Sequence, residues 1–335
     1  MRLTTVTVFY PPTTFPHTQK GIIHMSTIHD SITIAPTSIG EPVVADGVGV
    51  YPLIGGTIVG EGVVLADGRL EVSEQPTATV PVLEVYNPTD TPMIIPAGRV
   101  LEGGRQTRVV NVTIVVPKRT RMPIPVSCVE QGRWHGGKDF RDRGRYAGRR
   151  VRVAKQAAVV NAVRATRGRA DRLNAKHADQ GAVWFMVDDE LQSRGIHNST
   201  DLYMDVDDFV DRDTRSAAVL RQLMAKGPQA GQTGIAVTVG GRVAGVEVFP
   251  SEVSLREAWE GLIRQAVLEL PMVPSRVEAG VADIERFLAR VAAAETSAAP
   301  GVGLGRELHA STDEFVAHAV ELDGVLVYAN AFAKA

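Results

Sequence analysis

The segment IPVSCVEQGRW, residues 124–134, gathers a thiol, a carboxylate, a guanidinium and an indole within a few positions. Glu130 could act as a general base or anchor a ligand, because a carboxylate can accept a proton or a hydrogen bond. Arg133 could bind an anion, and Trp134 could stack on a flat ring. Internal ion-pair networks gather the same residue types, so the segment predicts either a ligand site or a structural cluster.

Cys128 is the only cysteine of the chain. A nucleophilic thiol needs a neighbouring base that lowers its pKa, and no histidine has a spacing that identifies it as that base. We therefore expect a buried, inert thiol. On a strand, side chains alternate between the two faces, which would place Cys128 with Glu130 and Val129 with Gln131.

The segment EGGRQTRVVN, residues 102–111, offers a second group of polar side chains. Glu102 is another candidate general base. Two arginines beside a glutamine could hold a phosphate or carboxylate, and paired glycines permit the close approach of a ligand. The candidate ligand-binding residues here are Gln106, Arg108 and Asn111. The alternative is a glycine bulge whose charged face meets water.

The segment HADQGAVW adds Gln180 and Trp184, which lie four residues apart and share a face of a predicted helix. Asp179 is a plausible N-cap for that helix, and capping alone would explain the polar residues before it. The eight histidines are scattered and show no metal-binding spacing, so we expect most of them on the surface or in loops. No metal site is predicted, and the sequence identifies no cofactor.

Composition bounds the function further. A net charge of -2 makes general nucleic-acid binding unlikely, so the arginine-rich segment 133–176 is interpreted as a solvated helix face. The alternative is that this segment binds phosphates. One cysteine excludes a disulfide framework and fits a cytoplasmic location. No apolar run is long enough to span a membrane.

The positions of these residues depend on two regions with different periodicities. Residues 32–129 show short, β-branched runs separated by turn signals, which indicate antiparallel strands. From about Phe140, helical periodicity alternates with strand patterns. We predict an α+β fold with an N-terminal antiparallel β-sandwich packed against a mixed helix and antiparallel-sheet region. The predicted units are a flexible arm (1–24), a β-sandwich domain (25–135) and an α+β domain (136–335).

Several elements of the second region can be assigned individually. The pattern predicts one helix over residues 206–227 and a hairpin that turns at Gly240-Gly241. The next helix is predicted to begin with a capping box formed by Ser254 and Glu257. Residues 295–301, rich in Ser, Ala and Pro, are interpreted as a linker before three C-terminal strands.

Taken together, the motifs VYPLIG, EGGRQTRVVN, CVEQGRW, ADQGAVW, NSTDLY and VFPSEVSLREAWEGL resemble the ARPP-1 family, the ARG and rhodanese-phosphatase-superfamily-associated protein domain. The resemblance runs from about Ile39 to the C-terminus, and CVEQGRW is its most specific motif. Where the family commonly has Q-N-R, this chain has Gln106-Thr107-Arg108. The resemblance implies company with ADP-ribosylglycohydrolases and phosphatase-like proteins, and hence a place in NAD or ADP-ribose metabolism. It carries over no catalytic residues, because the family has no settled activity.

Three hypotheses follow. The first is a binding or accessory protein for an ADP-ribose-like or nucleotide-like ligand, in which the candidate residues contact the ligand. The second is a hydrolase of the same ligand class with Glu130 or Glu102 as general base. The third is a non-catalytic interaction module. Partner proteins would come from an ADP-ribosylglycohydrolase-linked pathway, and the edges of the predicted sheet permit a homodimer.

Overall fold

The computed structural model describes residues 31–56, 62–166, 176, 179–271, 273 and 279–334. The predicted arm of residues 1–24 lies outside them. The described residues form six helices and eighteen strands, which confirms the predicted α+β class. Among these helices, none combines the length and apolar character needed to cross a membrane.

The first half of the chain is built from strands. In chain order they are β1 (Ser38–Ile39), β2 (Val43–Ala45), β3 (Val48–Ile54), β4 (Val64–Leu65), β5 (Glu71–Ser73), β6 (Val82–Asn87), β7 (Met93–Ile95), β8 (Arg99–Gly103), β9 (Arg108–Val110), β10 (Ile114–Val116), β11 (Thr120–Cys128) and β12 (Asp139–Tyr146). Burial alternates along β6, where Leu83 and Val85 point into the core. This is the period of two that the sequence predicts for a strand with one buried face.

The second half mixes helices and strands. In chain order they are α1 (Arg149–Thr166), α2 (Gln180–Gln192), α3 (Met204–Arg212), α4 (Thr214–Met224), β13 (Gln232–Val239), β14 (Arg242–Val248), α5 (Glu252–Val267), α6 (Val281–Ala293), β15 (Ser297–Pro300), β16 (Arg306–Ser311), β17 (Phe315–Leu322) and β18 (Val325–Ala333). The predicted hairpin and the three C-terminal strands are confirmed as β13–β14 and β16–β18.

Nine strands form an antiparallel sheet in the order β1-β3-β13-β14-β18-β17-β16-β15, with β2 also paired to β3. Helix α6 packs Ile284 and Phe287 into the apolar cluster on one face of this sheet. A second apolar cluster contains Trp259 and Leu262 of α5 together with Ile235 of β13, so α5 also packs against this sheet. The sheet is therefore covered by helices from the second half of the chain.

Six other strands close into a barrel in the order β11-β6-β5-β12-β8-β9, and β10-β7-β4 form a small separate sheet. A barrel therefore occupies the place of the predicted sandwich. Strand β11 closes the barrel because it pairs with β6 through residues 120–125 and with β9 through residues 126–128. Strand β12 lies between β5 and β8, and its Phe140 pairs with Val72 of β5 and with Gly103 of β8. Its pairing with β8 shifts register around Gly144, whose φ is +75°. Such bulges bend a strand and let a sheet curl onto itself.

Strand pairing crosses the predicted domain boundary at residue 135 in both directions. Strands β1–β3 precede it and join the sheet that contains β13–β18. Strand β12 follows it and completes the barrel. The division into residues 25–135 and 136–335 stays a prediction about which segments fold independently.

Three local predictions were wrong, each for a local reason. The helix predicted over residues 206–227 is broken at Asp213, whose extended backbone and side chain cap the start of α4. Helix α5 begins after Ser251, whose hydroxyl accepts a hydrogen bond from Ser254 N, so the capping box predicted at Ser254 and Glu257 is one turn late. The predicted linker contains β15, which pairs with β16.

Helix α5 contacts both the barrel and the large sheet, and Gly261 sets how closely it approaches the barrel. A Cβ at Gly261 would lie 2.0 Å from the carbonyl oxygen of Gly144 in β12. We expect Gly261→Ala to lower the free energy of unfolding by about 2 kcal/mol, because overpacking outweighs the better helix propensity of alanine. Denaturant unfolding measures this change.

Gly181→Ala is the matched control, because Gly181 also lies in a helix but is exposed. Its nearest neighbour would be an Asp179 carboxylate oxygen at 3.3 Å. We expect this variant to be as stable as the wild type or slightly more stable. Equal losses in the two variants would contradict the proposed close contact.

Candidate functional site

The segment that follows β11 is held by backbone hydrogen bonds on both sides. Val129 N donates to Thr107 O at 3.1 Å, and Tyr203 N donates to Val129 O at 3.0 Å. Gly132 N donates to Thr200 O at 3.0 Å, and a Cβ on Gly132 would come within 2.7 Å of the Thr200 Cα. Residues 129–132 are thus fixed between the β8–β9 connection and the segment that leads into α3.

Glu130 is buried in this segment and accepts several hydrogen bonds. Its Oε2 accepts from Arg133 Nη2 at 2.6 Å, Thr107 N at 2.9 Å and Thr107 Oγ1 at 3.0 Å. Its Oε1 accepts from Arg133 Nε at 2.7 Å. Burial alone would raise the pKa of Glu130, but the hydrogen bonds from Arg133 and Thr107 outweigh burial and lower it. The ionised carboxylate is the stable form.

Arg133 uses all five N–H groups of its guanidinium inside the protein. Beyond its two bonds to Glu130, Nη1 donates to Gly104 O at 2.9 Å and His135 O at 2.8 Å, and Nη2 donates to Gly103 O at 3.2 Å. Its donors are therefore shared between Glu130, the His135 carbonyl and the glycine bend at Gly103 and Gly104. We call the pair Glu130 and Arg133 the carboxylate latch, since it joins this bend to the segment after β11.

Trp134 lies just outside the latch, and 45% of its surface is exposed. The guanidinium carbon of Arg105 lies 5.5 Å from the centre of its ring, and that of Arg108 lies 5.8 Å away. Both distances are in the range of cation–π attraction. Trp134, Arg105 and Arg108 together are called the Trp134 shelf below. The sequence analysis does not predict Arg105 as a site residue, and the structure adds it to the group around Trp134.

Arg108 is fully buried and only partly paired. Its Nε donates to Val80 O at 3.2 Å and its Nη1 to Gln106 O at 2.8 Å. Its Nη2 is buried and has no hydrogen-bond partner among the described residues. Burial lowers the pKa of Arg108, while the carboxylates of Glu74 and Glu130 oppose that effect. The shelf thus contains a fixed positive charge with an uncommitted donor.

Gln106 and Asn111 are buried, and their side chains form hydrogen bonds that connect separate segments of the chain. Gln106 Nε2 donates to Glu130 O at 3.0 Å, which braces the segment after β11 from inside. Asn111 Nδ2 donates to Lys176 O at 3.0 Å, and its Oδ1 accepts from Ser127 Oγ at 2.7 Å. The structure places Gln106 beside the latch, whereas Asn111 contacts a different part of the chain.

The Gln180 side chain on α2 forms two hydrogen bonds with the backbone of Cys128 at the end of β11. Gln180 Oε1 accepts from Cys128 N at 2.8 Å, and its Nε2 donates to Cys128 O at 2.9 Å. Cys128 is fully buried, and burial raises the pKa of its thiol. These contacts agree with an inert thiol, because the thiolate needed for nucleophilic attack is disfavoured.

Gln131 and Trp184 line a surface pocket of about 230 Å³ between α2 and the segment that follows β11. Phe185, which is 65% exposed, and the carboxylate-bearing residues Asp188 and Asp201 complete most of its wall. This pocket is therefore acidic and aromatic, in contrast to the cationic Trp134 shelf.

Glu102 lies on β8 and pairs with Arg143 rather than with a residue of the latch. Its carboxylate is 3.5 Å from Arg143 Nε, and burial raises its pKa. The other charged groups that shift the pKa of Glu102 are Asp207, Arg145 and Asp208, whereas the pKa of Glu130 is shifted by burial and by hydrogen bonds from Arg133 and Thr107. The two candidate bases thus have separate surroundings.

A second polar cluster, which the sequence did not reveal, lies between α1 and the large sheet. Glu247, Asn330, His318 and His309 are direct cross-strand partners on β14, β18, β17 and β16. Directly opposed residues share a face of a sheet, so these side chains form one row. We call it the polar row.

Helix α1 covers the polar row with polar side chains of its own. Arg152 Nη1 donates to Glu247 Oε2 at 2.8 Å, and Gln156 Nε2 donates to Asn330 Oδ1 at 2.9 Å. Lys155 Nζ donates to Val109 O in the barrel at 3.0 Å, and burial lowers its pKa well below the ordinary value. The prediction that the arginine-rich segment is a solvated face is wrong for Arg152 and Lys155, because their partners lie inside the protein.

The end of the polar row carries two histidines. His309 Nδ1 and His318 Nδ1 are 3.3 Å apart, and His309 Nε2 is 2.9 Å from Glu307 Oε2. Lys176 also donates to Glu307. Burial opposes ionisation of Glu307, but His309 and Lys176 outweigh it and lower the Glu307 pKa to about 2.

His309 and His318 are exceptions to the expectation that most histidines lie on the surface or in loops, because each is only 1% exposed. The only local signal was the pattern Glu307-x-His309 on a predicted strand, which places both side chains on one face. His318 could not be added from the sequence, because its position opposite His309 depends on the register of β16 and β17.

The carboxylate latch generates a stability prediction. Glu130→Gln should lower the free energy of unfolding by roughly 3 kcal/mol near neutral pH, because it removes one partner of a largely buried ion pair. The pKa of Glu130 is lowered by folding, so the stabilisation is present above the ordinary glutamate pKa and lost as the pH falls through the lowered value. The difference between wild type and variant should therefore shrink between about pH 7 and about pH 3.

Urea unfolding at both pH values measures this difference. Glu84→Gln is the control, because Glu84 pairs with Arg121 at 2.9 Å on the surface of the same barrel. An exposed pair contributes at most about 1 kcal/mol. A pH-independent loss in Glu130→Gln, or one no larger than the control shows, would contradict the latch.

No curated protein and no solved structure matches the chain. Residues 36–332 match the sequence model of ARPP-1, the ARG and Rhodanese-Phosphatase-superfamily-associated Protein domain. The match covers nearly the whole chain and confirms the resemblance seen in its motifs. The chain belongs to the ARPP-1 family.

Proposed function

We propose that this protein binds a nucleotide-like ligand, with ADP-ribose as the leading candidate, at the Trp134 shelf. The observation that carries the proposal is a half-exposed indole within 6 Å of two guanidinium groups. An exposed indole can stack on a base, and guanidinium groups bind phosphates. Nucleotides combine a flat ring with phosphates, so one ligand can use both.

The residues of the shelf would take different parts in binding. Arg105 is exposed and would contact a phosphate directly. Arg108 is buried and would supply fixed positive charge beneath the surface. Glu74 Oε1 accepts from Arg105 N at 3.0 Å, which fixes the backbone that carries the exposed arginine.

The carboxylate latch favours binding over hydrolysis. A general base needs a free lone pair and a pKa near the working pH. Glu130 has a lowered pKa, and its carboxylate is occupied by Arg133 and Thr107. We infer that Glu130 and Arg133 position the shelf, while the ligand contacts belong to Trp134 and Arg105. Arg133 is thus proposed as a positioning residue, whereas the sequence alone predicts that it binds the anion itself.

The choice of ADP-ribose among nucleotides rests on the family. The family name pairs this domain with ARG, read above as the ADP-ribosylglycohydrolases. A protein that is functionally associated with such enzymes would be exposed to ADP-ribose or NAD. A cytoplasmic location, partners from the same pathway and a homodimer are proposals of the same kind.

A thermal-shift titration with ADP-ribose, NAD, ADP and inorganic phosphate tests the proposal. A ligand at about one hundred times its dissociation constant adds roughly 2.7 kcal/mol to the stability of the wild type. We expect Trp134→Ala and Arg105→Ala to lose most of that ligand-induced shift, because each removes a direct contact. Both variants should keep nearly the wild-type melting temperature without ligand, since both side chains are on the surface.

Arg121→Ala is the matched control. Its guanidinium carbon also lies over an aromatic ring of the barrel, 4.8 Å from the centre of Tyr86. It should keep the full ligand-induced shift. The proposal fails if no compound stabilises the wild type, or if the shift persists in Trp134→Ala.

A further inference from the structure

The pocket between α2 and the segment that follows β11 carries negative charge without a matching positive charge. Its wall consists of Gln131, Trp184, Phe185, Val187, Asp188 and Asp201, and we call it the acidic pocket. Within the described part of the chain, no lysine or arginine lines it. Asp188 Oδ2 accepts a hydrogen bond from Gln192 Nε2 at 2.8 Å, and neither pocket carboxylate forms an ion pair with another described residue.

Helix α2 fixes one side of the acidic pocket. Gln180, Trp184 and Asp188 are spaced by four residues and therefore share one face of this helix. The two hydrogen bonds between the Gln180 side chain and the backbone of Cys128 hold that face against the end of β11. The aromatic ring and the carboxylate of this face are thus presented to the pocket by a rigid element.

The segment that leads into α3 fixes the other side. Gly132 N donates to Thr200 O at 3.0 Å, and Glu130 forms a β-bridge with Leu202. Asp201 lies between these two attachments, with a φ of +49° in the left-handed region that aspartate and asparagine tolerate. Its carboxylate is therefore held beside the segment that follows β11 rather than on a free loop.

Two aromatic side chains complete the wall. Phe185 is 65% exposed, and the Nε1 edge of Trp184 is buried, so the remainder of the indole lines the pocket. Aromatic faces attract cations through their electron-rich surface, and carboxylates attract them through their charge. The aromatic and the acidic parts of the wall therefore favour the same kind of ligand group, which is an organic cation.

We propose that the acidic pocket binds the guanidinium group of an arginine side chain on a partner protein or peptide. Guanidinium is planar, stacks on aromatic rings and presents five N–H donors, which suits two separate carboxylates and the side-chain oxygen of Gln131. A quaternary ammonium group has no N–H donor for the carboxylates. Calcium requires about six to eight oxygen ligands and would leave the aromatic rings unused.

The size of the pocket favours a side chain over a whole small molecule. Its volume is about 230 Å³, whereas pockets for small molecules usually measure roughly 300–1,000 Å³. The aliphatic part of an arginine can lie against the exposed ring of Phe185 while the rest of the partner stays outside. The acidic pocket shares no side chain with the Trp134 shelf, so this inference does not depend on the proposed function.

Nuclear magnetic resonance of the tryptophan indole N–H groups tests the proposal with full-length protein and a blocked glycine–arginine–glycine tripeptide. The Trp184 signal, assigned with the Trp184→Phe variant, should change in a saturable way. The same tripeptide with citrulline in place of arginine should bind at least about tenfold more weakly, because citrulline has the same shape without the charge. A lysine tripeptide and free methylguanidinium should each bind at least about threefold more weakly, because one lacks the planar group and the other lacks the aliphatic chain.

Substitutions of the carboxylates test the contacts directly. Asp188→Asn and Asp201→Asn should each weaken binding of the arginine tripeptide about fivefold or more, because each removes a charged acceptor. Asparagine has nearly the same shape and also adopts the left-handed backbone of Asp201. Asp189→Asn is the matched control, because it makes the same change in net charge at a carboxylate that pairs with Arg150 at 2.6 Å outside the pocket. At physiological salt, which screens exposed charges, it should change the affinity by less than about twofold.

The proposal is overturned if the Trp184 signal shows no saturable change, or if the citrulline or lysine tripeptide binds as tightly as the arginine tripeptide. It is also overturned if Asp189→Asn weakens binding as much as Asp188→Asn does. Equal binding of methylguanidinium and the arginine tripeptide would contradict the assignment of the pocket to a protein or peptide partner.

Discussion

The burial of charge under α1 is the constraint on which the rest of the structure depends. Arg152 is 1% exposed and forms a two-bond pair with Glu247, at 2.8 and 2.9 Å. A buried charge without a partner costs several kcal/mol, so the opposing face of the sheet must be polar where the helix crosses it. The polar row meets that requirement on the sheet, and the carbonyl of Val109 meets it for Lys155 on the barrel. Helix α1 thereby joins the two β structures through hydrogen bonds with fixed geometry.

The barrel in turn determines the geometry of the surface site. Closure brings β9 beside β11, and this places Thr107 within reach of the Glu130 carboxylate. The glycine bend after β8 presents two carbonyl groups to Arg133. Because these contacts occupy Glu130 and Arg133, the groups left for a ligand are those at the rim, Trp134 and Arg105. The most polar part of the segment is thus a support, and its edge is the proposed ligand surface.

Local patterns in the sequence were enough for the family, the α+β class and most strands, because these depend on periodicity and short motifs. The pairing of Glu130 with Arg133 was one of two open alternatives, since their i,i+3 spacing brings them close in a turn. Barrel closure could not be predicted, because it depends on which distant strands pair with each other, above all on β11 pairing with both β6 and β9. The polar row could not be predicted for a similar reason. His309 and His318 lie opposite each other only because of the register of their strands, and the helix that buries them is far away in the sequence.

The most direct measurement is nuclear magnetic resonance of the tryptophan indole N–H groups during titration with ADP-ribose. The chain has three tryptophans, so each gives one signal and each reports a different place. Trp134 is on the shelf, Trp184 is at the acidic pocket, and Trp259 is buried in α5. If ADP-ribose binds at the Trp134 shelf, the chemical shift of the Trp134 signal changes in a saturable way while that of Trp259 stays constant. A titration in which Trp134 does not move, or in which all three signals move equally, would contradict it.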